Sequence, residues 1–304
     1  MKVKTIWKDP WKLIPGLGRR GLLNWVPDAW YLKLLYRAVM ERKLNLKMPR
    51  TFNEKLQWLK LYDRNPLYVR LADKYLVRGY IREKCGENYL IPLLGKWDTL
   101  DEIDFTSLPN RFVLKCNHDS GGVVLCPDKS EFSMQQAAEK LSRHLRRNYY
   151  RQNREWPYRD IRRCVIAEQY LEGGEDLYDY KLMCFNGKAK CAFVCSNRGK
   201  EGGLRVTFFD MEWKRLPFER HYPAEIHKIP RPKRWEEMVW AAERLAEGIP
   251  FVRVDFYETE DGKLYVGELT FFPGSGLEEF HPESWDFRLG SWLQLPETKK
   301  RGKR

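Results

Sequence analysis

An α+β fold with antiparallel sheets follows from three features of this 304-residue chain. Apolar runs of strand length come in pairs joined by turn dipeptides, the clearest being Asn186-Gly187 and Asp261-Gly262. Helical-period segments alternate with these hairpins, which favours antiparallel over parallel sheets. Hydrophobic residues make up 43% of the chain, enough for a packed core.

The elements follow in order. Residues 1–48 are basic and aromatic. Pro10, Pro15, Gly16, Gly18 and Pro27 predict loops at first, and Tyr31, Leu34, Leu35 and Val39 then mark a helix. Such a basic amphipathic helix either docks on its own domain, the more common outcome, or lies on a membrane. Thr51 and Glu54 form a capping box that opens a helix through Leu56, Leu59 and Leu61. A single helix is expected over 67–84, with Arg70, Lys74, Arg78 and Arg82 on its basic face and Gly86 ending it. Strands are predicted at 89–94, 112–116 and 123–125, the last two joined by a Gly121-Gly122 hairpin tip. A basic helix over 134–148 follows, then strands at 165–171, 180–185 and 189–194. A helix at 235–247 precedes the final hairpin, 251–257 with 264–269.

Fifty-five Lys+Arg against 42 Asp+Glu give a net charge of +13, which favours an anionic partner without choosing among nucleotide, glycan, membrane and nucleic acid. The basic residues are spread widely with no recognised nucleic-acid module, so nucleic acid is the least favoured. Part of the excess lies in Lys299, Lys300, Arg301, Lys303 and Arg304, read as a basic disordered tail over 296–304. The seven cysteines lack Cys-x-x-Cys spacing and are read as reduced and structural, which points to the cytoplasm. No signal peptide or membrane-spanning stretch is visible.

Several residues have the chemistry of a site. Lys115 points from a strand end toward Asp119, Ser120, Gly121 and Gly122, a plausible phosphate clamp, although strand lysines commonly snorkel to solvent. Asp255 and Glu268 lie in apolar strands, where a carboxylate needs a partner. That partner is either Mg²⁺ or a buried cation, Arg253 being the obvious one; local sequence weighs the two equally. A rigid turn, Thr270–Gly276, follows. Glu168 to Leu171 ends a strand whose backbone could pair with an adenine edge, with Asp179 and Lys181 beyond it. Taken alone, Glu168 and Asp179 read as surface acids, and His118 as a solvent-facing loop histidine. The five histidines show no metal spacing. Neither a Walker loop, a dinucleotide-binding glycine fingerprint nor a serine nucleophile elbow is present.

The order of these features resembles the ATP-grasp superfamily and, more narrowly, the TupA-like ATP-grasp family, named for a teichuronopeptide biosynthesis protein. Three phrases carry the narrower match: Thr-Phe-Asn-Glu-Lys-Leu-Gln-Trp-Leu-Lys-Leu-Tyr-Asp (51–63), Leu-Lys-Cys-Asn-His-Asp-Ser-Gly-Gly (114–122) and Gly-Glu-Leu-Thr-Phe-Phe-Pro-Gly-Ser-Gly (267–276). The resemblance implies two α+β subdomains clasping ATP over residues 71–295, hinged near 168–172, after a helical N-terminal region of residues 1–70. It implies that Lys74 and Lys115 hold ATP phosphates under the loop Ser120, Gly121, Gly122. Glu168, Gln169 and Leu171 would receive adenine and Asp179, or else Glu175, the ribose. Asp255, Glu268 and Thr270 would bind Mg²⁺, while Lys181 and Arg253 act on the transferring phosphoryl group or the acyl phosphate. Many ATP-grasp enzymes carry Asn where this chain has Thr270, which offers one hydroxyl oxygen. The implied activity is carboxylate–amine ligation through an acyl phosphate in bacterial surface polysaccharide synthesis, with an anionic glycan and an amino acid as substrates. A kinase or glycan transferase, or a non-catalytic nucleotide- or glycan-binding module, stays open, as does peripheral contact with the inner face of the membrane.

Overall fold

The computed structural model describes residues 10–173, 177–197 and 203–297. The basic tail from 298 onward and Glu175 lie outside the described residues. The chain begins with helices α1 (Ile14–Arg19), α2 (Asp28–Met40), α3 (Phe52–Tyr62), α4 (Leu67–Ala72) and α5 (Val77–Lys84). Strands β1 (Leu93–Trp97), β2 (Phe112–Cys116) and β3 (Val123–Cys126) precede α6 (Met134–Leu145) and α7 (Tyr150–Asn153). Then come β4 (Val165–Gln169), β5 (Asp179–Phe185), β6 (Lys188–Ser196), β7 (Arg205–Phe209), β8 (Glu219–Arg220) and α8 (Trp235–Leu245). The last elements are β9 (Phe251–Glu258), β10 (Leu264–Thr270), β11 (Phe280–His281) and α9 (Ser284–Trp292).

Among the described residues three sheets form, ordered β1-β4-β2-β3, β10-β9-β5-β6-β7 and β11-β8, and every pairing between these strands is antiparallel. The fold is therefore α+β. The four-stranded sheet buries Phe112, Leu114, Cys116, Val165 and Ala167 against Leu141 of α6. The five-stranded sheet supplies Leu182, Val254 and Phe256 to a larger core shared with α8 and with Phe52 and Leu56 of α3. A third cluster, Tyr31, Leu32, Leu35, Tyr36 and Met40, packs the inner stripe of α2. Cys85, Cys116, Cys126, Cys164, Cys184 and Cys191 are free thiols.

Local sequence accounts for most of these elements. Thr51 accepts from the Glu54 amide and Glu54 bonds back to the Thr51 amide, the anticipated capping box. Three expectations need correction. Residues 14–19 are helical despite Gly16 and Gly18, with Pro15 in the first turn, where its missing N–H costs nothing. Gly18 is needed there, since a Cβ would lie 2.1 Å from the Tyr31 hydroxyl. The single helix over 67–84 is two helices. Asp73 leaves helical geometry (φ −81°, ψ 115°), and its Oδ1 accepts from the amides of Tyr75 (2.8 Å) and Leu76 (3.2 Å), closing a turn ahead of the next helix. The strand expected at 89–94 begins at Leu93, because residues 87–89 form a 3₁₀ turn and Pro92 has no amide for a ladder.

Candidate active site

One face of the five-stranded sheet gathers most of the charged candidates. Lys181 on β5 lies opposite Asp255 on β9, and Asp255 opposite Glu268 on β10, a row across three strands. Phe193 on β6 extends it. Because alternate residues of a strand share a face, Asp179, Arg253 and Thr270 stand on the same side. The alignment depends on a bulge: the register shifts between Val266 and Glu268. Unbroken alternation would put Glu268 on the same face as Val266, whose partner is the buried Phe256. The extra residue, Gly267, turns Glu268 toward Asp255 instead.

These side chains form one ionic network. The Arg253 guanidinium donates from Nε to Asp255 Oδ1 and from Nη2 to Asp255 Oδ2, both at 2.6 Å, and from Nη2 to Glu268 Oε1 at 3.0 Å. Lys181 pairs with Asp255 Oδ2 and, at 2.6 Å, with Asp179. Burial disfavours the Lys181 ammonium, but Asp179 and Asp255 outweigh it and raise its pKa. Burial pushes the Asp255 carboxyl up, against the pull of Arg253 and Lys181. Glu268 is different. Burial works against its charge too, yet Lys74, Arg253, Lys181 and Lys115 hold its carboxyl down to about 2. With 39% of its side chain accessible, it is the open carboxylate on the floor of a cleft.

The four-stranded sheet supplies the facing wall. Lys115 on β2 donates to Glu168 on β4 at 2.6 Å, and Arg78 on α5 reaches the other oxygen of Glu168 at 3.0 Å. The β2–β3 hairpin is closed by a 2.7 Å bond from the Cys116 amide to the Gly122 carbonyl. Gly121 at its tip has φ +94°, and a Cβ on Gly122 would come within 2.6 Å of Asp119 Oδ1. Lys74 joins the two walls. Placed by the break between α4 and α5, it donates to the Asp119 carbonyl (2.5 Å) and approaches Glu268 (3.9 Å). The chain passes from one sheet to the other between Gln169 and Asp179; the Gln169 amide bonds the Pro92 carbonyl at 2.9 Å.

The structure thus brings together Lys74, Lys115, Glu168, Asp179, Lys181, Arg253, Asp255, Glu268 and Thr270, whose hydroxyl lies 3.4 Å from Glu268. The local readings of Glu168, Asp179 and His118 as solvent-facing residues are overturned. Glu168 and Asp179 are buried, at 6% and 8% exposure, because ion pairs hold them. His118 is buried at 1%, its Nε2 against the Arg147 carbonyl at 3.2 Å, and burial lowers its pKa. Lys115 does not snorkel to solvent: its side chain is largely covered and paired with Glu168. Sequence reasoning also gave no site role to Arg78 or His144. Arg78 is four residues after Lys74, a spacing that could have flagged it. His144 bonds the buried Asp119 carboxylate from α6, and no local pattern announces that pairing.

Glu268 and Thr270 fit a divalent cation by donor chemistry: both offer hard oxygens, as Mg²⁺ prefers, and Glu268 stays anionic and accessible. Asp255 is a hard carboxylate too, but both its oxygens are bonded to Arg253 and Lys181 here, so it would ligate only by exchanging one of those cations for the metal. Among the described residues no three His, Cys, Asp or Glu side chains converge into an all-protein metal cage. Such a site would need substrate oxygens to complete it, the usual arrangement for Mg²⁺ with a phosphate substrate.

Two antiparallel sheets facing across a cleft, with lysines on one wall and a carboxylate pair on the other, define the ATP-grasp class. The chain belongs to the TupA-like ATP-grasp family, whose model matches residues 54–294. Among solved structures it is similar to an L-amino acid ligase from Bacillus licheniformis (17% identity, TM-score 0.47, covering 92% of this chain and 65% of that one). It is also similar to N5-carboxyaminoimidazole synthetase from Staphylococcus aureus complexed with ADP (16%, TM-score 0.45, 88% and 59%). A third is D-alanine–D-alanine ligase from Bacillus anthracis complexed with ATP (19%, TM-score 0.39, 66% and 55%). The chain spans less than two thirds of the length of each of these proteins. No curated protein matches it by sequence.

Proposed function

We propose that the protein is an ATP-dependent ligase that activates a carboxylate as an acyl phosphate and joins it to an amine. The observation that carries this reading is the Lys181–Asp255–Glu268 row with Arg253 beside it, faced by Lys74 and Lys115. In this reading Lys74, Lys115 and the backbone of Ser120, Gly121 and Gly122 hold the phosphates of ATP. Residues 168–171, the end of β4 and the residues just after it, receive adenine at Glu168, Gln169 and Leu171, and Asp179 takes the ribose. Asp255, Glu268 and Thr270 hold Mg²⁺, which supplies charge neutralisation at the phosphoryl oxygens.

A carboxylate is a poor acyl donor because oxide is a poor leaving group. Transfer of the γ-phosphoryl group to a carboxylate oxygen gives an acyl phosphate and releases ADP. Arg253 and Lys181, already fixed by carboxylates and so preorganised, stabilise the charge that builds during transfer. The amine then attacks the acyl carbon, inorganic phosphate leaves, and the nitrogen loses its proton to give the amide. The loop at 119–122 excludes water, which would otherwise hydrolyse the acyl phosphate. The acid is proposed to be a uronic acid or similar group on an anionic bacterial surface glycan, and the amine an amino acid. That assignment is supported by the family resemblance and the chain's net positive charge.

The test is phosphate release from Mg²⁺-ATP against a panel of amino acids and uronic-acid glycans, with products weighed by mass spectrometry. Release that requires both an acid and an amine, with a product lighter by one water than the pair, is expected. A phosphorylated product would replace the ligase with a kinase.

A further inference from the structure

We infer that the outer face of the N-terminal helical segment docks on an anionic lipid bilayer. This inference is independent of the ligase reading, since it rests on residues outside the cleft. Trp25 is 81% exposed, Trp30 64%, Leu22 58% and Trp11 39%. Exposing three indoles and a leucine within about twenty residues is unusual, because these are the side chains that cores and interfaces consume. Leu22, Trp25 and Trp30 lie outside the buried cluster of this segment. The inner stripe of α2, Tyr31, Leu32, Leu35, Tyr36 and Met40, is already buried.

The charges interleaved with these rings are of one sign. Lys12, Arg19, Arg20, Lys33 and Arg37 are all exposed. Residues 11–37 contain a single acid, Asp28, and it is turned inward, pairing with Arg154 at 3.2 Å and accepting from the Tyr150 hydroxyl at 2.6 Å. Lys33 stands over the Trp30 ring with its ammonium 5.1 Å from the centroid, and Arg37 follows one turn later on the same stripe. The cationic field continues onto the neighbouring surface. Exposed Arg147 precedes α7 and exposed Arg151 lies within it; α7 is tied to this region by the bond from the Tyr31 hydroxyl to the Gln152 carbonyl (2.7 Å). The preceding sequence, with Lys2, Lys4, Trp7 and Lys8, has the same composition.

Indoles prefer the level of lipid headgroups, while Lys and Arg stems run along apolar surface and deliver their charges to phosphates. Exposed Leu22 and Leu13 favour acyl chains over nucleic-acid bases, since a leucine has no ring face on which a base can stack. Among the described residues no helix is long and apolar enough to cross a membrane, so this segment would lie in the interface plane.

The test is co-sedimentation of the full chain with vesicles of phosphatidylcholine alone or with about 30% phosphatidylglycerol. Partitioning at least about tenfold stronger on the anionic vesicles is expected, weakening between about 0.05 and 0.5 M salt. A Trp25→Ala/Trp30→Ala variant should lose about tenfold in partitioning with its melting temperature unchanged. Lys33→Glu/Arg37→Glu should lose as much on anionic vesicles and nothing on neutral ones. Equal partitioning to both vesicle types, or a tryptophan variant that binds like the parent, would overturn the inference. So would tight binding of a short single-stranded oligonucleotide with no vesicle binding.

Discussion

Glu268 and Asp255 face each other across two strands, yet they are not equivalent probes. Asp255 has both oxygens bonded to cations and is 1% exposed. Asp255→Asn therefore strips a buried ion pair of one partner, which costs about 3–5 kcal/mol of stability alongside any catalytic effect. Glu268 is partly open to solvent, so Glu268→Gln should cost less stability than Asp255→Asn while lowering ATP turnover by roughly 10²-fold or more. Unchanged turnover in both variants would remove the metal assignment. A second residue-scale prediction concerns Lys60, fully buried beneath the turn that follows Thr270. It donates to the carbonyls of Ser275 (2.7 Å) and Asn153 (3.1 Å), and burial, opposed by Glu155, holds its pKa down to about 8. From about pH 8 to 10.5 the unfolded chain binds the Lys60 proton more tightly than the folded one, so this residue's contribution to stability rises with pH. The stability difference between the parent and Lys60→Met should change by about 3 kcal/mol across that window, measured by denaturant unfolding.

At the scale of elements, the bulge in β10 carries the greatest functional consequence. A Cβ on Gly267 would meet the Tyr257 ring at 2.8 Å. Gly267→Val is therefore expected to cost about 1–3 kcal/mol and to lower turnover more than that loss of stability explains, because it disturbs the residue that turns Glu268 toward Asp255. Unfolding and turnover measured on the same preparation would check this; full activity in a folded variant would mean that the bulge does not set the site. The bulge also shows what was legible in the sequence. Period-two alternation and the Asn186-Gly187 and Asp261-Gly262 turns gave the hairpins β5–β6 and β9–β10. Period two alone would have sent Glu268 to the core side of β10. The α4–α5 break was hidden for a related reason: apolar spacing runs through it, and only the Asp73 side chain, competing for the amides of Tyr75 and Leu76, ends the first helix. Strands β8 and β11 were missed because each is two residues long and held by pairing distant in sequence; β7, which pairs with its neighbour β6, was also missed. His144 meets Asp119 only through tertiary packing, which also explains why His118 read as a solvent residue. His144→Ala would leave the buried Asp119 carboxylate without that partner and should cost about 1–3 kcal/mol, read by thermal unfolding.

At the scale of the whole molecule, Lys74 is a polar tie between the two sheets. It reaches the hairpin carbonyl of Asp119 on one side and Glu268 on the other. A ligand held by both walls binds the folded chain and has no site on the unfolded one, so it must stabilise the fold by mass action. At a hundredfold excess over its dissociation constant, Mg²⁺-ATP should contribute about 2.7 kcal/mol, a rise of roughly 5 °C in melting temperature for a chain of this size. Lys74→Met removes a cation from the cleft without leaving a buried charge stranded, since Glu268 keeps Arg253. Its melting temperature without ligand should therefore move little, while the increment from Mg²⁺-ATP shrinks at the same ligand concentration. A parent chain with no increment at millimolar Mg²⁺-ATP would count against nucleotide binding altogether. An increment that survives intact in Lys74→Met would place the phosphates on the Lys115 wall alone, with Lys74 serving only to hold the hairpin against the floor of the cleft.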